Sequence, residues 1–173
     1  MGSSPIRRTK KIMKAKEMEL ALVNFVNYRD NLIVPNVCWG WGLRHECDLL
    51  VVTRAGITWE IEIKTSAADL RRDKKKWHGH VSEKIAYLYF AIPDDLLKLS
   101  DEIPERAGII VCTEIEPEDD DPYIHCHVER EPQRNEYAPK IELLDRYKLA
   151  RLGAIRIWKL KKKILDNDSK KET

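Results

Sequence analysis

Asp48 opens the apolar run Leu49-Leu50-Val51-Val52, and a short way on Trp59-Glu60-Ile61-Glu62-Ile63-Lys64-Thr65 alternates charge with isoleucine. Ionised side chains in stretches that otherwise read as buried strand cost several kcal/mol unless they are paired or bound to a metal. An acid on one strand, with an acid and a lysine two residues apart on the next, can hold a divalent cation and an attacking water. That is the chemistry of phosphodiester hydrolysis. Period-two geometry puts Glu62 and Lys64 on one face, about 6–7 Å apart along the backbone, with Glu60 one pleat behind. Asp48 and Glu62 could then converge on one hard cation, with the Ile63 carbonyl as a third oxygen ligand, a set that suits Mg²⁺ and tolerates Mn²⁺. Lys64 would orient the attacking water or neutralise charge on the phosphorane-like transition state.

Each piece also has an ordinary explanation. Glu60, Glu62 and Lys64 could line the wet side of an antiparallel sheet, and Asp48 could be a turn former at a strand end. Two further acid-x-lysine triplets, Asp73-Lys74-Lys75 and Asp168-Ser169-Lys170, fall in a charged helix and a polar tail. Only Glu62-Ile63-Lys64 lies on a strand.

The elements that must position these residues are legible in outline. Met18, Ala21, Leu22, Phe25 and Val26 recur at helical spacing and predict an amphipathic helix over about Lys14 to Asn27. Asn31 to Val37 reads as extended, broken by Pro35. Strands are expected at 46–53 and 58–65, joined through Arg54-Ala55-Gly56 as a hairpin. Ser66 is a plausible N-cap for a helix over 67–77. Buried strands follow at 86–92 and 108–113, with a small acidic-first helix at 94–99 between them. An edge strand is expected at 123–128 and a helix over 140–164, with Gly153 a weak point. The order predicts one α/β domain over 13–165 with a mixed sheet, a disordered basic segment over 1–12 and a polar, frayed tail over 166–173.

Over the 173 residues, 31 Lys and Arg against 29 Asp and Glu leave a net charge of +2, so electrostatic recognition must come from local patches. No stretch is apolar enough for a membrane span, and none follows the basic N-terminus as a secretory signal requires. Cys38, Cys47, Cys112 and Cys126 lack CxxC spacing and read as reduced thiols of a cytoplasmic protein.

The spaced set His45-Glu46-Cys47-Asp48-Leu49-Leu50, Glu60 to Thr65, Ala68-Asp69-Leu70 with Asp73-Lys74, and Leu88-Tyr89-Phe90-Ala91-Ile92-Pro93 resembles the PD-(D/E)XK nuclease superfamily. Within it, the stretch from Asn36 to Pro93 is similar to the phage- and prophage-encoded, MmcB-like DNA repair branch. Asp48 takes the motif aspartate position and Glu62-Ile63-Lys64 the (D/E)xK signature, while the proline before the aspartate is absent. The resemblance covers about the first two-thirds of the chain. It implies a restriction-endonuclease-like core, a central mixed sheet flanked by helices, and Mg²⁺-dependent cleavage of DNA in a bacterial or phage-infected cell. It also implies a glutamate on the first helix that completes the metal shell. Glu17 and Glu19 both offer themselves, as ligands or as exposed helix-dipole caps. Glu19 is preferred for the packing offsets of Leu22, Val23 and Val26. Asp69 and Lys76 match residues that often support the site in this family.

Arg71, Arg72, Lys74, Lys75 and Lys76, close after Lys64, read either as phosphate contacts or as a solvated helix face, with His78 or His80 helping to grip a phosphate. His78 and His80, and His125 and His127 around Cys126, lack the spacing of a closed zinc site. Trp39 and Trp41 could stack on bases or pack at the mouth of the core. The lysine-rich end near Trp158 could touch DNA or complete a helix C-terminus. A non-catalytic DNA-binding protein on the same core is the rival reading, and a Cys/His metal-binding interaction protein is a second. Relatives that cut both strands act as homodimers, but no interface is legible.

Overall fold

A computed structural model of the chain describes residues 13–38, 41, 43, 45–74, 82–117 and 121–169, the side chains of Lys74 and Ser169 excepted. Ten elements follow one another: α1 (Ala15–Phe25), β1 (Leu32–Val37), β2 (Cys47–Val52), β3 (Thr58–Ile63), α2 (Ala67–Lys74), β4 (Tyr87–Pro93), a 3₁₀ segment (Asp94–Glu102), β5 (Gly108–Ile115), β6 (Tyr123–Arg130) and α3 (Leu143–Ser169). The strands form one mixed sheet in the order β1-β2-β3-β4-β5-β6. The pairs β1–β2, β2–β3 and β5–β6 are antiparallel, whereas β3–β4 and β4–β5 are parallel. Parallel neighbours need a crossover, supplied here by α2 and by the 3₁₀ segment.

One face of the sheet is covered by α1. Met18, Leu22 and Val26 pack there on Leu49, Val51, Ile61, Ile63, Ala91, Ile110, Cys112 and Cys126. The opposite face holds two separate apolar clusters. Over β1 and β2, Val34, Leu50 and Val52 meet Leu149 of α3. Over β4 and β5, Leu88, Phe90, Ile92 and Ile109 meet Leu70 of α2 and Leu96. Between these clusters runs β3, and the residues it turns to this face are Thr58, Glu60 and Glu62, all within 1% of complete burial.

The β2–β3 hairpin closes with Gly56 at φ +85°, a conformation that suits glycine. Pro35 does not interrupt β1. It sits in register with Leu49 on a strand that forms the edge of the sheet, where a missing N–H does no harm. The Ser66 hydroxyl accepts the Asp69 N–H at 3.2 Å and caps α2 as expected. The piece over 94–102 is 3₁₀ rather than α.

The last helix begins and ends later than its periodicity predicts. Its start is delayed because the Ile141 N–H donates to the Gly56 carbonyl, which keeps that backbone extended against the hairpin turn. It then continues to Ser169, so residues 166–169 of the segment expected to fray are helical, and Gly153 lies inside the helix without a break. Among the described residues, no helix is long and apolar enough to cross a membrane.

Candidate active site

The β2–β3 ladder sets Leu49 against Ile61 and Leu50 against Glu60. Continued by one residue, this register places Asp48 opposite Glu62. Here the β2–β3 ladder ends, while β2 continues on its other side with Cys47 paired to Val37 of β1. At this end the Asp48 Oδ2 accepts the Ile63 N–H at 2.7 Å, so a side chain completes what the ladder leaves open. On its other side β3 continues, with the Lys64 N–H donating to the Ala91 carbonyl at 2.9 Å. Asp48 is half-buried.

The Lys64 side chain is 5% exposed and lies between two carboxylates, 2.7 Å from Glu62 Oε2 and 2.9 Å from Asp73 Oδ1. Burial works against its ammonium, but Glu62 and Asp73 outweigh it and hold Lys64 above the ordinary lysine range. Asp73 reaches this point because Leu70, one turn earlier on α2, is buried against β4 and β5. The same packing turns Arg71 and Arg72 outward to solvent, and Arg71 Nε donates to Glu102 at 3.1 Å.

One pleat behind Glu62, the Glu60 Oε1 lies 2.6 Å from His45 Nε2, both groups buried. One candidate ligand atom each from His45, Glu60 and Glu62 come within 4.8 Å of one another, the sole such group of three among the described residues. Burial pushes the Cys47 thiol up, and so do the charges of Glu60, Glu62 and Asp48, which all lie within electrostatic reach of its sulfur.

On the α1 face, Glu17 and Glu19 have different surroundings. The Glu17 carboxylate accepts the Lys14 N–H at 3.0 Å and caps the start of the helix. Glu19 borders a cleft of about 390 Å³ with Val23, Ile33, Pro35 and Leu49. Burial, and then the Asp48 carboxylate, raise its carboxyl above the usual range, while Lys16 pulls the other way.

Other expected residues lie outside the described ones or stand apart from this group. Lys74 is on α2, but its side chain is outside the described residues, as are Lys75, Lys76, His78, His80 and Trp39. Trp41 packs in the core against the β1–β2 cluster, with the Lys84 ammonium 5.2 Å over its ring. On β6 the His125 and His127 rings lie 6.1 Å apart on the outer side, while Cys126 points inward, so the strand's alternation splits a chelating trio.

His45 and Asp73 stand in the segments that carry the family resemblance, but nothing in their spacing assigned either one a place in the site. His45 lies outside any strand, so no periodicity aims it, and Asp73 sits in a helix crowded with charge. Glu60 had a readable signal: it shares the face of Glu62 on a strand whose alternate residues are isoleucine.

The arrangement is that of an α/β protein with a chain of buried acids, a lysine and a histidine crossing the centre of its sheet. Residues 4–164 match the family described as DNA repair protein MmcB-like, and the chain belongs to that family. No curated protein matches it. Among solved structures, the protein of unknown function SPO1766 from Silicibacter pomeroyi is similar, with a TM-score of 0.60 and 18% identity. That likeness covers 91% of this chain and 95% of the other, and it concerns the fold.

Proposed function

We propose that the chain is a metal-dependent nuclease that hydrolyses phosphodiester bonds of DNA during repair, in the cytoplasm of a bacterial or phage-infected cell. One observation carries the reading: on a central strand, at positions flanked by leucine and phenylalanine, the buried side chains are Glu60 and Glu62, with Lys64 following and Asp48 on the neighbouring β2. The order helix, three antiparallel strands, helix, parallel strand fits a restriction-endonuclease-like core with Asp48 and Glu62-Ile63-Lys64 in the motif positions. Membership of a DNA repair family supports DNA as the substrate.

On this reading the oxygens assigned to a divalent cation come from neighbouring strands and from α1. Asp48 and Glu62 offer carboxylate oxygens. The Ile63 carbonyl faces β2, because the N–H and C=O of one strand residue point to the same side. Glu19 would join from the α1 side, where it feels the Asp48 charge, while Glu62 is turned to the opposite face of the sheet. An all-oxygen set of this kind suits Mg²⁺ or Mn²⁺. When bound, the ion would polarise the scissile phosphate and ease ionisation of a water. The chain's own contribution is orientation. The Ile63 N–H fixes Asp48, and Glu62 and Asp73 hold the Lys64 ammonium at the buried end of the strand, where it can align the attacking water and offset developing charge. Arg71 and Arg72, exposed on α2, would contact backbone phosphates with Lys74, Lys75 and Lys76, and His78 or His80 would assist.

The convergence of His45, Glu60 and Glu62 favours a second arrangement, in which an ion sits one pleat deeper. An imidazole with two carboxylates suits Mn²⁺ or Zn²⁺ better than Mg²⁺. A non-catalytic DNA-binding role is the alternative, favoured by Lys64 being already engaged on both sides by carboxylates.

Cleavage of linear, nicked, flapped and four-way-junction DNA in Mg²⁺ or Mn²⁺ tests the proposal. Activity lost in Asp48→Asn and Lys64→Ala is the expected result. DNA binding that survives those changes, with no cleavage by the parent chain, would establish the binding module instead.

A further inference from the structure

Cys112 of β5 and Cys126 of β6 stand directly opposite each other in antiparallel register, two and three strands across the sheet from β3. Their sulfurs are 3.4 Å apart, both residues are free thiols, and both point into the core beneath α1, beside Met18 and Leu22. Directly opposed residues of an antiparallel pair bring their Cβ atoms to about 4.5–5.5 Å, against about 3.5–4.5 Å in a disulfide. A small approach of the edge strand closes that gap. β6 is free to make it, with one side paired to β5 and the other at the sheet edge. Cys126 is 7% exposed and Cys112 fully covered, so an oxidant meets Cys126 first.

We propose that Cys112 and Cys126 form an oxidation-sensitive pair that closes to an intrachain disulfide when the chain meets peroxide, fastening the edge strand β6 to β5. The Cys126 sulfur attacks one peroxide oxygen and the O–O bond breaks, leaving a sulfenic acid on Cys126 and one water. The Cys112 sulfur then attacks the Cys126 sulfur. The S–O bond breaks, and hydroxide leaves as a second water with the Cys112 proton. Two thiols give up two electrons, and one peroxide becomes two waters. Cys126 suits the attacking role as the more exposed of the pair, and its contact with the Cys112 sulfur lowers its thiol against the effect of burial. Since α1 packs on this part of the sheet, the bond also stiffens the support of the helix that carries Glu19. It does so whatever reaction the chain performs.

The wild-type chain provides the test. No Lys or Arg lies between Arg106 and Arg130, so trypsin releases both cysteines on one peptide, 107–130. Cleavage after Glu114 then separates them unless sulfur joins them. The folded protein is treated with stoichiometric hydrogen peroxide, its remaining thiols are alkylated in denaturant, and the peptides are weighed without reductant. The expected result is a linked pair containing Cys112 and Cys126, lighter by two hydrogens, with Cys38 and Cys47 alkylated. Slower amide exchange across Tyr123–Arg130 in the oxidised chain would add support. Full alkylation of Cys112 and Cys126 after treatment overturns the proposal. So does a lasting sulfenic or sulfinic acid on Cys126 with Cys112 still a thiol, or a link from either residue to Cys38.

Discussion

β3 and β4 lie side by side in parallel register, equally deep, and turn opposite chemistry to the same face of the sheet. Glu60 stands against Leu88 and Glu62 against Phe90, and all four are at most 2% exposed. On the other face the two strands agree, with Ile61 and Ile63 beside Tyr89 and Ala91 in the core under α1. The difference is therefore confined to one side of one strand. Burial cannot explain it, because hydrocarbon at these positions would have joined the two apolar clusters into one. A fold seeking stability alone would have continued the row Leu50, Leu88, Phe90 through β3. Charges kept in such a place are what the proposed function draws on.

The comparison breaks most sharply at Lys64 and Phe90. Lys64→Ala leaves Glu62 and Asp73 without the cation they share and is expected to cost about 3–5 kcal/mol. Phe90→Ala is expected to cost about the same by opening a cavity. Urea unfolding measures both. The two losses should then part company. Replacing Glu62 and Asp73 with leucine in the Lys64→Ala chain restores stability, while the same replacements do nothing for Phe90→Ala.

Asp48→Asn keeps an acceptor for the Ile63 N–H and should leave the unfolding midpoint in place. On the proposed mechanism it lowers metal-dependent cleavage by about 10²–10³-fold. Unchanged cleavage in a folded Asp48→Asn chain would shift attention to His45, Glu60 and Glu62. The paired change His45→Leu with Glu60→Leu extends the apolar row of β4 onto β3. It should be neutral or stabilising by about 1–4 kcal/mol, and it abolishes Mn²⁺ or Zn²⁺ uptake if the deeper set holds an ion. Calorimetry with each metal reads that directly.

The smallest effect lies away from β3. A Cβ at Gly153 would come no closer than 4.0 Å to Val34, so Gly153→Ala should stabilise α3 by about 0.5–1 kcal/mol in thermal unfolding.

The strands and α1 were legible because their residues follow local rules. Leu49 to Val52, Ile61 with Ile63, and the β4 run are apolar where a covered strand must be, and Gly56 marks the hairpin turn. The end of the β2–β3 ladder at Asp48 could not be read, since there a side chain rather than the backbone accepts the Ile63 N–H. The burial of Glu60 and Glu62 was equally open in the sequence. Alternating Glu and Ile suits a wet sheet face as well as a covered one, and only the helices packed on either side decide between them. His45 and Asp73 reach the site through tertiary packing, which no spacing encodes. The late start of α3 has the same origin, a backbone bond from Ile141 to a turn far away in the chain.

Every strand of this sheet pairs with its immediate successor in sequence. No segment must wait for a distant partner, so the sheet can zip up in the order in which a ribosome delivers it, at a low entropic cost of loop closure. Asp48, Glu62 and Lys64 are all in place once the strand ending at Pro93 has docked, and the strand synthesised next completes the apolar seat of Leu70 that brings Asp73 to them.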